Sequence, residues 1–185
     1  ATKLAADKLC QSANHYAAGY ETRFSVVRYG NVMGSRGSVV PFWKQLADDG
    51  KEIPITDSRM TRFWITLPRA VKFVVESFEL MRGGEVFVPR IPSMKILDLA
   101  EAVAPGAKTH EIGIRPGEKL HEEMIAADDS RRTISLNDRY VILPTIADWG
   151  YEPLSGESVA DGFAYRSDSN DTWLSVNEIR KLLQE

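Results

Sequence analysis

The sequence has one cysteine in 185 residues, Cys10, which excludes an internal disulfide and a cysteine-based zinc site. That fits a reducing compartment, and a cytoplasmic location is expected. No apolar run approaches the ~18 residues of a membrane span, so no membrane contact is expected from this segment. Neither G-x-G-x-x-G nor a Walker loop occurs; a dinucleotide fingerprint is expected only upstream of Ala1. His15, His110 and His121 have no metal-ligand spacing. Basic residues form no stripe and the formal net charge is −3, which argues against nucleic acid as a partner. What remains is an ordinary globular composition, 43% apolar and 26% charged, in a chain long enough for one domain with a real core. The first residues, Ala-Thr-Lys-Leu-Ala-Ala-Asp-Lys-Leu, read as the inside of a helix without a cap. The chain is therefore expected to be part of a longer domain.

The most informative stretch is Arg28-Tyr-Gly-Asn-Val-Met-Gly-Ser-Arg-Gly-Ser-Val-Val-Pro41. An apolar run, Phe24 to Val27, enters it and a helical pattern, Phe42 to Asp49, leaves it. Strand, glycine-rich turn and helix follow in that order. Ligands of open α/β sheets bind beyond the carboxyl ends of strands, and glycines let backbone N–H groups approach an anion. On this turn alone, an ordinary loop with surface arginines is an equal reading.

Strands and helices alternate along the rest. Ala1 to Ala18 has near-helical apolar spacing at Leu4, Ala5, Leu9, Ala13, Tyr16 and Ala17. Val39 to Leu46 begins a helix with a proline in its first turn. Ile53 to Ile55 and Arg62 to Ile65 read as short strands. Leu67 to Met81 is the clearest helix, with Ala70, Phe73, Val74, Ser77, Phe78 and Met81 on one face. Glu85 to Val88 is a strand, Ile96 to Val103 a helix and Glu111 to Arg115 a strand before the Pro116-Gly117 turn. His121 to Ile125 and Tyr140 to Leu143 are candidate strands with a polar segment between them. Ser175-Val-Asn-Glu178 fits a capping box. The pattern indicates α/β, with smaller mixed elements in the second half.

Arg36, Arg62 and Arg115 each sit at a strand exit, which suggests convergence on a diphosphate that guanidinium binds bidentately. Arg62, between bulky apolar residues, is either a snorkelling surface residue or a buried anion ligand. A lysine such as Lys3 is by itself a solvated helix charge. Glu122-Glu123 and Asp128-Asp129 read as solvated faces. The four tryptophans read as core or interface residues.

The run Phe24 to Pro41 resembles the extended short-chain dehydrogenase/reductase superfamily, and within it the inverting UDP-N-acetylglucosamine 4,6-dehydratases. Three blocks agree in order and spacing: Pro54 to Thr66, Gly84 to Lys95, and Gly113-Ile-Arg-Pro-Gly-Glu-Lys-Leu-His-Glu122. Together they cover most of Ala1 to Asp129; beyond that the resemblance fades. It implies the C-terminal half of a Rossmann-type fold with a smaller mixed α/β substrate-binding part, a partial single domain over 1–185. Ala1-Thr2-Lys3 is similar to the end of the superfamily's Tyr-x-x-x-Lys motif, which would make Lys3 a catalytic and cofactor-binding lysine. The tyrosine would fall before Ala1, so the segment alone is expected to be inactive. The implied chemistry is oxidation at C4 of a UDP-hexose, loss of water across C5 and C6, and hydride return with inversion at C5, feeding bacterial polysaccharide or flagellin-sugar synthesis. NADP, with NAD as the alternative, is the implied cofactor, and Val32 would lie against the nicotinamide. Asn31 and the backbone of Arg36, Gly37, Ser38, Val39, Val40 and Pro41 would hold the UDP-sugar. Arg62 and Arg115 would neutralise its diphosphate. A homo-oligomer is expected for the intact protein. A UDP-sugar 4-epimerase and a non-catalytic UDP-sugar-binding module are the alternatives.

Overall fold

The computed structural model describes residues 2–34 and 38–184. In chain order its elements are α1 (Thr2–Tyr16), β1 (Val26–Val27), β2 (Asn31–Val32), α2 (Val39–Asp48), β3 (Ile53–Ile55), β4 (Thr61–Ile65) and α3 (Leu67–Leu80). Then come β5 (Val86–Pro89), β6 (Ser93–Lys95), α4 (Ile96–Val103), β7 (Thr109–Glu111) and β8 (Glu123–Ile125). A 3-10 turn (Ala127–Arg132), β9 (Thr133–Ser135), β10 (Arg139–Ile142), β11 (Glu157–Ser158), β12 (Tyr165–Arg166) and α5 (Val176–Leu182) complete it. They divide into two compact units, Ala1–Tyr29, Val71–Arg90 and Met124–Ala164 in the first, Gly30–Ala70, Ile91–Glu123 and Tyr165–Glu185 in the second.

Unit 1 is built on a five-stranded sheet in the order β1-β5-β10-β9-β11. β1 runs parallel to β5, with Val26 opposite Val86 and Val27 opposite Phe87. The remaining pairs are antiparallel. Phe73 of α3 joins Phe87, Ile134 and Val141 in the core. The buried line on α3 is narrower than its sequence face: Phe73 and Ser77 are buried, whereas Val74 and Phe78 are exposed. On α1 the apolar residues Leu4, Leu9 and Tyr16 are exposed too. The buried residue of this helix is Asn14, which donates to the carbonyls of Gln11 and Phe24 and accepts from Phe24 N. A side-chain amide can thus tie a helix to the entry of a strand by satisfying both groups of one peptide residue. The strand itself is only two residues long and half-buried, shorter than the Phe24 to Val27 run suggests.

Unit 2 places α2, α4 and α5 around two small sheets, β2-β4-β6 and β3-β7. Its core holds Val40, Trp43, Ile53, Ile55, Met60, Trp64, Met94, Leu99 and Ile179. β7 ends where the sequence pattern had a strand begin. Ile112 and Ile114 alternate as strand residues do, but both are exposed, and Gly113 turns the chain with φ +85°. The α5 capping box is formed, Ser175 Oγ accepting from Glu178 N and Glu178 accepting from Ser175 N. In the polar segment between β8 and β10, the 3-10 turn and β9 carry regular structure that the sequence pattern missed.

Candidate functional site

The site grows from one close strand approach in unit 2. β2 runs parallel to β4, with Asn31 opposite Trp64 and Val32 opposite Ile65. A Cβ at Gly30 would lie 2.6 Å from both Cβ and the carbonyl oxygen of Phe63. This glycine is needed for backbone-to-backbone contact, a different use from the anion approach that the turn suggests. Asn31 is thereby carried against β4. Its Nδ2 donates to Phe63 O at 3.3 Å and to Glu122 Oε1 at 3.2 Å. The other Glu122 oxygen accepts from Phe63 N at 2.8 Å.

Beside this joint lies a cavity of about 630 Å³. Asn31, Val32, Ser38, Val39, Arg62 and Arg115 all line it, so the structure gathers six of the sequence-derived candidates around one cavity. Val40 instead belongs to the core, and Pro41 is exposed and off the lining. Pro41 also has no N–H to offer a ligand. Arg36 and Gly37 lie outside the described residues. Lys3 stands exposed on α1, in unit 1. Arg28, at the exit of β1, has a structural partner: it donates to Asp7 Oδ2 at 2.8 Å and to Met124 O at 2.7 Å.

The two arginines of the wall differ. Arg62 donates to the carbonyls of Thr61, Leu120 and Lys119 at 2.8–3.0 Å and has Glu118 Oε1 at 3.6 Å. Three of a guanidinium's five donors therefore go to the chain itself, and the Lys119–Leu120 loop is pinned to β4. Arg115 is exposed, and its guanidinium has no protein partner among the described residues. A second anchor of the same loop is His121, whose Nδ1 lies 2.8 Å from Thr61 Oγ1; that hydroxyl is also 2.7 Å from Ser167 Oγ.

Two buried polar atoms of the cavity lining, Ser38 Oγ and Trp64 Nε1, have no hydrogen-bond partner among the described residues. Buried polar groups are nearly always paired, with water or ligand if not with protein. Ser38 is the N-cap of α2 but makes no capping bond with its side chain. An N-cap hydroxyl accepts from the second or third helical N–H, and the third residue here is Pro41, which has none. Sequence reasoning missed Trp64 and Glu118 as wall residues and dismissed Glu122 as a solvated charge. The turn Asp57 to Met60, whose Met60 lines the cavity, is held by Asp57, which accepts from Arg59 N, Nε and Nη2 at 2.7–2.9 Å. These hydrogen bonds from Arg59 lower the Asp57 pKa to about 2.

The polysaccharide biosynthesis protein family matches residues 1–144. The chain belongs to that family. It is 54% identical to a UDP-N-acetylglucosamine 4,6-dehydratase (inverting) of Campylobacter jejuni subsp. jejuni, over 99% of this chain and 58% of that protein. Among solved structures, Pen from Bacillus thuringiensis superposes with a TM-score of 0.83 at 34% identity, over 99% of this chain and 55% of its own. A dTDP-glucose 4,6-dehydratase of Bacillus anthracis, solved in complex with NAD, shares the fold at 18% identity and a TM-score of 0.50, over 60% of this chain and 38% of its own. The chain thus spans somewhat more than half the length of the dehydratase and of Pen, and its α/β fold is that of Rossmann-type extended short-chain dehydrogenases/reductases. No helix among the described residues is long and apolar enough to cross a membrane.

Proposed function

We propose that the intact protein dehydrates UDP-N-acetylglucosamine to a UDP-4-keto-6-deoxy-hexose with inversion at C5, for bacterial surface polysaccharide or flagellin glycosylation. The cavity wall carries this reading: an arginine, Arg115, whose guanidinium has no protein partner among the described residues, beside buried polar atoms that also have none there, in a chain of this family. A nucleoside diphosphate supplies the acceptors that such a wall lacks. Arg115 contacts the diphosphate directly, while Arg62 adds charge and holds the loop that presents Arg115 and Glu118. Ser38 Oγ, Trp64 Nε1 and the first N–H groups of α2 face the remaining acceptors of the ligand. Binding energy collected there, away from the reacting carbons, orients the hexose.

Unit 1 belongs, on this reading, to the cofactor-binding sheet and unit 2 to the UDP-sugar region. NADP is the cofactor assigned; when bound, it supplies hydride acceptance and return. The exposed ammonium of Lys3 suits ribose hydroxyls, and Val32 offers an apolar surface to a nicotinamide. A lysine cation at that place also favours ionisation of a neighbouring tyrosine, because an adjacent positive charge lowers an acid's pKa.

The test incubates the intact gene product with NADP⁺ and UDP-N-acetylglucosamine in D₂O. The expected product has lost water and carries deuterium at an inverted C5. A C4 epimer formed without loss of water would identify an epimerase instead. Calorimetry then separates the arginines. Arg115→Ala should weaken UDP binding by about ten- to a hundredfold, the worth of a charge-assisted hydrogen bond, with an unchanged melting curve. Arg62→Ala should lower both binding and melting temperature. The control is Arg131→Ala, whose side chain is exposed and pairs with exposed Asp161; it should alter neither. UDP binding by Arg115→Ala at the parent's affinity would remove this cavity as the diphosphate site.

A further inference from the structure

We infer that Glu122 is a positioning residue that fixes the polarity of Asn31, so that Asn31 offers the cavity a hydrogen-bond acceptor and selects a donor group on the ligand. This rests on the UDP-sugar reading above and narrows it.

A carboxamide nitrogen carries two hydrogens. Asn31 directs both inward, one to the Phe63 carbonyl and one to the Glu122 carboxylate. Neither partner offers a hydrogen: one is a peptide oxygen, and the other is an oxygen of a carboxylate whose second oxygen accepts from Phe63 N. Turning the amide over would set its oxygen against two oxygens, so the orientation is decided by its surroundings. The amide oxygen is what Asn31 has left for the cavity it lines. An ionised diphosphate is acceptor-only and finds nothing there. The matching ligand group is a hydroxyl or an amide N–H of the sugar nucleotide, and the diphosphate falls to Arg115.

Glu122 is well placed to impose this. One of its oxygens is fixed by Phe63 N at 2.8 Å. Its own backbone is held from both sides by Ser167: Glu122 N donates to Ser167 Oγ at 2.9 Å, and Ser167 N donates to Glu122 O at 2.8 Å. Ser167 is fully buried. The carboxylate therefore has little freedom to follow Asn31; Asn31 must follow it.

The experiment is a double-mutant cycle on the intact gene product with Glu122→Gln, Asn31→Ala and both together. Affinity is measured for UDP-N-acetylglucosamine and for inorganic pyrophosphate. In Glu122→Gln the new amide keeps its oxygen on Phe63 N and sets an N–H against Asn31, whose amide is then no longer held in one orientation and can turn, at the cost of its bond to Phe63 O. UDP-N-acetylglucosamine affinity should then fall about tenfold, the upper end for a neutral hydrogen bond. Pyrophosphate affinity should hold or rise, because Asn31 now shows a donor. In the Asn31→Ala background, Glu122→Gln should have no further effect on the ratio of the two affinities. Equal losses for both ligands, or additive effects in the cycle, would mean that Glu122 only supports β4 and would overturn the inference while leaving the UDP-sugar reading standing. A parent protein that binds pyrophosphate but not UDP-N-acetylglucosamine would overturn both.

Discussion

Each unit ties down a glycine-containing segment with one glutamate, and the two carboxylates are used differently. In unit 1, Glu85 is fully buried and accepts from Ser25 Oγ at 2.6 Å, Arg82 N at 2.9 Å and Gly83 N at 2.8 Å. Each of these donors belongs to the framework: the entry to β1 and the turn after α3. In unit 2, Glu122 spends one oxygen on the backbone of β4 and the other on Asn31, a side chain that meets a cavity. A closed set of partners stabilises the fold; a set with one member facing outward also determines what a ligand meets. Damage to the first should be read in melting, and damage to the second in ligand preference.

The largest effect expected is that of Glu85→Ala. It strands two backbone N–H groups in the interior at about 1–3 kcal/mol each. At about 2–4 °C per kcal/mol for a chain of this size, the melting temperature should drop by roughly 10 °C. Scanning calorimetry checks it, and a melt within ~2 °C of the parent would break the contrast between the carboxylates. Next comes Gly30→Ala, whose Cβ meets main-chain atoms at 2.6 Å. Overpacking of this kind costs about 1–3 kcal/mol. It should also displace Asn31, so melting temperature and UDP-N-acetylglucosamine affinity should fall together. Gly34→Ala sharpens the point. Gly34 has φ +68° but open space around the added atom, so strain alone should appear, without the affinity loss. If Gly30→Ala changes melting alone, the β2–β4 approach does not set the site.

The smallest effect concerns acid. Asp57 is held near pKa 2 by its bonds from Arg59, against an ordinary value of 3.8. A carboxylate with a lowered folded pKa stabilises the protein above its unfolded value, and that contribution is lost as pH falls through the folded one. Between about pH 4 and pH 2, denaturation midpoints of the parent should therefore fall more steeply than those of Asp57→Asn. Parallel curves for the two proteins would show that the Asp57–Arg59 turn adds nothing to acid stability.

Local patterns in the sequence locate α4, the Ser175–Glu178 cap and the start of α2 well, because each depends on residues within one or two turns. Arg62 and Arg115 do meet at one cavity, but not from strand exits as the pattern suggests: Arg62 is the second residue of β4 and Arg115 lies four residues beyond the end of β7. Glu122 is not legible, for a physical reason: the residues that give it meaning, Phe63 and Asn31, lie 59 and 91 positions away. The reuse of Gly30 is hidden in the same way, since its constraint is the backbone of another strand. Ile112 and Ile114 mislead in the opposite sense. They alternate like strand residues, but Ile112 lines the cavity, so its apolarity answers to the site rather than to a sheet. The apolar residues of α1 show that helical spacing marks a helix without saying which face is covered.

The contact at Gly30 also constrains how this protein can drift in evolution. A side-chain clash can be relieved by a smaller neighbour, so cores explore sequence through paired substitutions. The atoms facing Gly30 are the Cβ and carbonyl of Phe63, which every residue type except glycine carries alike. No choice of side chain at position 63 other than glycine removes that Cβ, and none removes the oxygen. A screen for second-site suppressors of Gly30→Ala should therefore return almost nothing from the facing position, and reversion should dominate.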